Sequence, residues 1–354
     1  MLQSIYDRVD IDKSTLCNNS LMKLPFIEVA VVYKEVDSFV LECVQHCLDI
    51  NYPNYGILLL PDTDTSFPIE DSRIRVIPTG KVSIPVKRNA AIEHATQHAR
   101  YLAYIDSDAY PRPNWLRNAV TYFDDESVIV VGGPHLTPPD ESFDRRVSGC
   151  VFSQWIGYGP ESKRLSEKTK THRTKNLPAC NFIVRLEFLK THPFDETYQA
   201  GEDSKLCADI LSAGKNVLFA QDVVVYHHRR RIFLPVMKQT YYYGLFKAPM
   251  LLSGELPSLS PLIPAAFFVF ALATPVGIIV IPALRLPLLL CWSIYVVTVT
   301  ASTLQKSRCL RLTGLCVLTM FLVHLSYGFG FVRGLSRAVR FKNRTSPLDV
   351  PPNS

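Results

Sequence analysis

The sequence predicts an α/β domain with a mostly parallel, mixed sheet, followed by C-terminal transmembrane helices. Two observations carry this expectation. Between residue 27 and about residue 225, apolar runs of strand length alternate with amphipathic stretches of helix length, the signature of strand–helix–strand units. From Leu262 to about Leu304 the chain then carries a single charge, Arg285, over about twice the ~20 residues that span a bilayer as a helix. A chain of 354 residues has room for two folded parts, and 47% hydrophobic with 20% charged residues excludes a disordered or collagen-like polymer.

Taken in order, residues 1–25 form a polar leader with no basic segment running into an apolar one, so no signal peptide is expected and the front domain should stay in the cytosol. IEVAVVY (27–33) reads as a first strand, and SFVLECVQHCLDI (38–50) as a helix with Val40, Leu41, Val44, Cys47 and Leu48 on one face. NYPNYG is a turn, GILLL a second, buried strand ending at Pro61, and RIRVIP a third. PVKRNAAIEHATQHA (85–99) is expected as a helix, and RYLAYI (100–105) as a strand that runs straight into Asp106. SVIVV (127–131) is a further strand. The turn after it, GGPHLTPPDESF, lacks the GxGxxG pattern of a dinucleotide site. SKRLSEKTKTHRTKNLP (162–178) is a polar, basic surface loop, SKLCADILSAG an amphipathic helix opened by Gly201, Glu202 and Asp203, and VVVYHH a late strand.

Three Asp-x-Asp pairs stand in the chain, and their context separates them. Asp10 and Asp12 have no strand before them and read as solvated or capping charges. Asp62-Thr63-Asp64 and Asp106-Ser107-Asp108 both follow strand ends, where open α/β sheets bind their ligands. Two carboxylates one residue apart at such a place can hold a hard divalent cation, Mn²⁺ or Mg²⁺, bridged to phosphates. A lone aspartate at the first such end suits a nucleoside base or ribose. An Asx turn before Pro111 and Pro113 is an open alternative for Asp106 and Asp108, as helix capping is for Glu202 and Asp203.

The nine cysteines are scattered without a CxxC pair, which fits reduced thiols better than a disulfide framework or a zinc site. A third apolar stretch, Leu312–Val332, contains His324, Ser326 and three glycines and is the weaker span. Net charge is +6, and its placement matters more than its size. Arg229, Arg230 and Arg231 precede the apolar region, while Arg333, Arg337, Arg340, Lys342 and Arg344 follow it, as cytoplasmic clusters facing anionic lipid headgroups do. Three spans would put that tail outside, so two spans plus a re-entrant or interfacial third segment is the expectation. Lys306, Arg308 and Arg311 also read as cytoplasmic. Lys238 to Leu252, rich in tyrosine, suits a helix at headgroup level. The expected boundaries are therefore a main domain over 26–234, an interfacial amphipathic segment over 235–258, a membrane domain over 259–335 and a basic tail over 336–354, in a multi-pass protein of the plasma or inner membrane.

Four segments then carry a resemblance. IEVAVVYKEVDSFVLECVQHCLDINYPNYGILLLPDTD resembles the opening of the family 2 glycosyltransferases; PVKRNAAI is similar to their "ARN" helix start; YLAYIDSDAYPRPNWL looks like their metal-binding segment, and FDETYQAGEDSKLCADILSAGKNVLF like their acceptor-site "GED" helix. All four occur in the family's order, between about Ile27 and Gly244. The resemblance implies a GT-A nucleotide-sugar-binding fold and an inverting, metal-dependent transferase. Asp62 would contact the nucleoside and Arg88 the diphosphate, with Asp106 beside them. Asp106 and Asp108 would hold Mn²⁺ or Mg²⁺, with His228 as a third ligand and His227 its neighbouring alternative. Glu202 and Asp203 would face the acceptor, Asp203 as base. The chemistry is consistent, since a divalent cation offsets the charge of a diphosphate leaving group and an acceptor hydroxyl needs a carboxylate to take its proton. Processive members carry Gln-x-x-Arg-Trp; here Gln239 is followed by Thr240, Tyr241, Tyr242 and Tyr243, which implies addition of one sugar. Gln239, Arg229 and Arg230 are the expected acceptor and interface residues. The implied partners are a nucleotide-diphosphate sugar, a lipid-linked or glycan acceptor and membrane lipids, with no nucleic acid. Transfer to polyprenyl phosphate is the alternative acceptor, and a nucleotide-sugar-binding scaffold or exporter component the non-enzymatic one.

Overall fold

The computed structural model describes residues 24–64, 66–198, 200–252 and 259–342, without the side chains of 341 and 342. The leader with Asp10 and Asp12, part of the expected interfacial segment (253–258), and the tail from residue 343 with Arg344 lie outside the described residues. The chain divides into two compact units, one running to Pro139 and from Arg164 to His228, the other comprising Asp140–Lys163 and everything from Arg229.

The first unit is built on an eight-stranded mixed sheet. Its strands are β1 (Phe26–Val32), β2 (Tyr55–Leu60), β3 (Ile74–Val76), β4 (Ala99–Asp106), β6 (Val128–Gly132), β8 (His172–Thr174), β9 (Phe182–Arg185) and β10 (Asn216–Phe219), in the order β3-β2-β1-β4-β9-β6-β10-β8. A second sheet has β11 (Val225–His227) between β5 (Ala109–Pro111) and β7 (His135–Leu136). Alternation along β1 explains the layering: Ile27, Val29 and Val31 join one apolar cluster, Ala30 and Val32 the other. Helix Ser38–Leu48 covers the first face with Val40, Cys43, Val44 and Cys47. Helix Glu202–Ser212 covers the second with Leu206, Cys207 and Ile210. Each fully buried side chain of this kind contributes roughly 1.5–3 kcal/mol of transfer free energy.

Pairing of β1 with β2 and β4 is parallel, and its register sets Val32 opposite both Leu60 and Asp106. The carboxyl ends of three adjacent strands are thereby level, and Asp62 and Asp106 emerge at one edge. Strand β9 enters antiparallel between β4 and β6, which makes the sheet mixed. The expected helix over 85–99 runs instead over Ile84–His94. Glu28, buried in β1, causes the early stop: its Oε2 accepts from the backbone N–H of Thr96 at 3.1 Å and pairs with Arg75 at 2.9 Å. The chain is thereby held extended at Ala95 and enters β4.

In the second unit, the segments Leu262–Val280, Pro282–Lys306 and Leu310–Arg340 are each long and apolar enough to cross a membrane. Only 6% of the apolar window is buried in each of the first two, so side chains such as Leu272, Ile279 and Val297 point outward, as lipid-facing residues do. The third segment departs from the re-entrant expectation. It is part of one unbroken helix, Leu310–Lys342, about 50 Å long at ~1.5 Å per residue, with no reversal of direction. Glycines let it lie close to helix Leu234–Leu252: a Cβ on Gly330 would collide with the carbonyl oxygen of Tyr241, and one on Gly244 with that of Tyr327. The same long helix receives the 140–163 segment, through His324 Nε2 at 2.9 Å from the Ile156 carbonyl and Cys316 Sγ at 3.7 Å from that of Val147. These contacts explain why 140–163 belongs to this unit and not to the 26–234 domain expected from sequence.

Candidate active site

Strand β4 ends at Asp106, and the chain turns through Ser107 and Asp108 into β5. There β11 pairs antiparallel with β5, setting His227 opposite Ala109, and the backbone N–H of His228 donates to the Asp108 carbonyl at 2.9 Å. Neighbouring residues of an extended strand point to opposite faces. His227 therefore turns toward the aspartates, with Nε2 3.1 Å from Asp108 Oδ1. Asp106, Asp108 and His227 each bring one ligand atom within 4.8 Å of the others. His228, the expected third ligand, turns to the other face, where its Nε2 lies 2.9 Å from Glu42 Oε2 and its ring packs against Phe39 and Tyr110. The structure thus brings His227, not His228, to the two carboxylates.

Two carboxylates and an imidazole suit Mn²⁺ or Mg²⁺, with Mn²⁺ the more tolerant of nitrogen. His227 Nδ1 is buried and makes no hydrogen bond among the described residues.

Arg88 links this cluster to Glu202, at the start of the helix Glu202–Ser212. It is almost wholly buried, pairs with Glu202 through Nη1, and reaches Asp106 Oδ1 from Nη2 at 3.3 Å. Burial disfavours its charge, but Glu202, Asp106 and Asp203 outweigh that and raise its pKa further. Burial pushes Glu202 above the ordinary carboxylate range, against the pull of Arg88. The arginine expected at a diphosphate is thus engaged with two carboxylates in the protein itself.

Asp62 stands past the end of β2, where its Oδ1 meets Lys87 Nζ at 2.5 Å. Lys87 is buried and also donates to the carbonyls of Tyr33 and Leu60. Sequence reasoning passed over this lysine, although it adjoins Arg88 in the same helix turn.

Glu202 and Asp203 open their helix behind Gly201, whose φ of +89° is a left-handed conformation that favours glycine. Asp203 Oδ1 accepts from its neighbour Ser204 N–H at 2.7 Å, and Oδ2 from Ala179 N–H at 3.1 Å. The capping contact and the long-range tie therefore coexist in one side chain.

The expected acceptor and interface residues lie in the second unit. The Arg229 carbonyl accepts from Arg145 at 2.8 Å, Arg230 is exposed, and Gln239 donates to the Tyr243 hydroxyl at 2.9 Å.

The family model described as "Glycosyl transferase family 2" matches residues 29–192. A "Pre-mycofactocin glycosyltransferase" found in two strains of Mycobacterium tuberculosis is 25% identical over 152 residues, 42% of this chain and 31% of its own length. An "Uncharacterized glycosyltransferase" of Haemophilus influenzae is 22% identical over 215 residues, 57% of this chain and 65% of its own. The match thus spans about a third of the mycobacterial relatives' length. Among solved structures, the mannosyltransferase PcManGT from Pyrobaculum calidifontis, in complex with GDP-Man and Mn²⁺, superposes with a TM-score of 0.53 at 15% identity, covering 86% of each chain. The family match over the strands that carry the acidic edge and the shared fold agree: residues 29–192 are a family 2 glycosyltransferase domain, and the fold is GT-A.

Proposed function

We propose that the protein transfers one sugar, with inversion, from a nucleotide-diphosphate sugar to a membrane-associated, lipid-linked acceptor on the cytosolic face. The observation that carries this reading is the convergence of Asp106, Asp108 and His227 at the level carboxyl ends of β1, β2 and β4. Asp106, Asp108 and His227 would hold Mn²⁺ or Mg²⁺, and the neighbour of the same fold was solved with GDP-Man and Mn²⁺. When bound, such a cation offsets the charge that develops on a diphosphate leaving group.

The protein's own residues do the rest. Asp62, held by Lys87, presents a carboxylate to the nucleoside, and Lys87 keeps it oriented. Arg88 fixes Glu202 and Asp106 in one frame, so donor-side and acceptor-side carboxylates keep a constant separation. Asp203 is tied at both oxygens by backbone N–H groups, which orient the carboxylate and leave lone pairs to accept the acceptor hydroxyl's proton. The three apolar helices and the Arg229–Arg231 cluster suit a substrate that presents itself at lipid headgroups.

The test is release of nucleoside diphosphate by the detergent-solubilised protein across a panel of sugar nucleotides, with Mn²⁺ or with chelator, and with or without lipid extract. Metal-dependent turnover of one donor, raised by lipid, is expected. No turnover of any donor in a folded sample contradicts the reading and favours a binding scaffold. If polyprenyl phosphate alone replaces the extract, the acceptor is the lipid phosphate and not a lipid-linked sugar.

A further inference from the structure

His227 belongs to a second cluster as well. His135, Cys180 and His227 also bring one ligand atom each within 4.8 Å of one another, and His135 and Cys180 are almost wholly buried. The backbone that carries them is tightly tied. Val225 N–H donates to the Pro134 carbonyl at 3.0 Å, and β7 pairs with β11 so that His135 stands opposite Val225. Asn181, next to Cys180 and fully buried, donates through Nδ2 to the carbonyls of Pro134 at 3.2 Å and Val223 at 2.8 Å. Three separate segments therefore hold a thiol and two imidazoles together. Donors around a tetrahedral zinc, with bonds of about 2.0–2.3 Å, stand about 3.3–3.8 Å apart, within small side-chain rotations of what is seen here.

We propose that His135, Cys180 and His227 form a second metal site, selective for a thiophilic divalent ion of the zinc class, and that filling it takes His227 away from the Asp106–Asp108 site. A thiolate with two imidazoles is a soft donor set, unlike the two carboxylates that share the same histidine. A neutral imidazole has one lone pair and one N–H. With Nε2 against Asp108 and Nδ1 buried without a hydrogen bond among the described residues, metal at Nδ1 fixes the proton on Nε2. That N–H then donates to Asp108, the carboxylate–histidine–metal arrangement, and can no longer ligate a cation between the aspartates. Binding deprotonates the Cys180 thiol and releases one proton, with no change of oxidation state. The two sites exclude each other through one side chain.

The competition half rests on the transferase reading; the binding half does not. Cadmium serves as the probe for binding, since a thiolate ligand gives it a charge-transfer band in the ultraviolet. The full-length protein in detergent should show a saturable band that Cys180→Ser removes and that Asp108→Asn retains. His135→Ala keeps every thiol and should weaken cadmium binding by at least about 100-fold. An unchanged band in Cys180→Ser, or cadmium bound as tightly by His135→Ala as by the parent, overturns the site. For competition, zinc should suppress Mn²⁺-dependent donor turnover in the parent and require at least about tenfold more metal in Cys180→Ser. Equal sensitivity of the two proteins overturns the shared-histidine claim. Absence of any donor turnover defeats the transferase reading while the cadmium result stands by itself.

Discussion

Arg88 is the side chain on which the two acidic sites depend, and replacing it with methionine tests that dependence. Met matches much of the volume, so lost packing is small and the lost charge dominates. Removing one partner of a buried ion pair costs about 3–5 kcal/mol, because the other is left buried and uncompensated. Glu202, 8% exposed at its side chain, meets that condition, whereas Asp106 at 34% is well screened by water and adds little. The lower end, about 3 kcal/mol, is the expected loss at neutral pH. At about 2–4 °C per kcal/mol for a unit of this size, the apparent melting temperature in detergent should fall by about 6–12 °C. The pH dependence has a definite sign. Burial already raises the Glu202 pKa, and losing Arg88 raises it further. A carboxyl whose folded pKa lies above its unfolded value costs stability above that pKa and none below the unfolded one. The deficit of Arg88→Met should therefore shrink as pH falls from 8 toward the ordinary carboxylate range. Adding Glu202→Gln should restore much of the loss, with a coupling of about 1–3 kcal/mol. A melting shift below about 2 °C, or strict additivity of the two substitutions, would refute the reasoning.

Further predictions follow from single contacts. Asp203→Asn should bind sugar nucleotide as the parent does but lose transfer by roughly 10² to 10⁴-fold, measured by donor titration beside turnover; normal transfer would leave Asp203 a helix cap. Lys87→Met should weaken donor binding without touching metal affinity, since it faces Asp62 and the carbonyls of Tyr33 and Leu60; equal loss of metal binding would contradict that separation. Gly330→Val should destabilise the packing of Leu310–Lys342 on Leu234–Leu252 by about 1–3 kcal/mol, read as a lower melting temperature, because its side chain meets the Tyr241 carbonyl. Asp71, held at about 2 chiefly by hydrogen bonds from Arg73, contributes stability above the ordinary carboxylate value that is lost as pH falls toward 2. With side chains 25–34% exposed, that pair is worth no more than about 1 kcal/mol, so Asp71→Asn should shift the urea midpoint slightly at pH 7 and hardly at all near pH 2.

What the sequence made legible was whatever a local pattern decides. Tyr55–Leu60 is wholly buried and apolar, and so reads as an inner parallel strand; Asp106 stands where an apolar run stops, and so reads as a strand-end ligand. The stretch after Leu262, with Arg285 its single charge, announces its helices by composition alone. What stayed hidden depends on partners distant in the chain. No local signal says that Glu28 captures Thr96 and ends a helix 68 residues away. Phe182–Arg185 is too short to betray that it enters antiparallel between β4 and β6. The choice between His227 and His228 is a question of strand parity, settled only by the pairing of His227 with Ala109. Lys87 lay beside a residue already singled out, but its value comes from Asp62, brought to it by β2.

Everything proposed for the donor rests on Asp106, Asp108 and His227 binding one cation. Electron paramagnetic resonance of Mn²⁺ titrated into the purified protein with sugar nucleotide tests it most directly, because bound and free manganese are counted without reference to turnover. The parent should bind one manganese, Asp108→Ala should abolish binding, His227→Ala should weaken it by at least about tenfold, and His228→Ala should leave it unchanged. Undiminished manganese binding in Asp108→Ala, or a loss in His228→Ala matching that in His227→Ala, would contradict the claim.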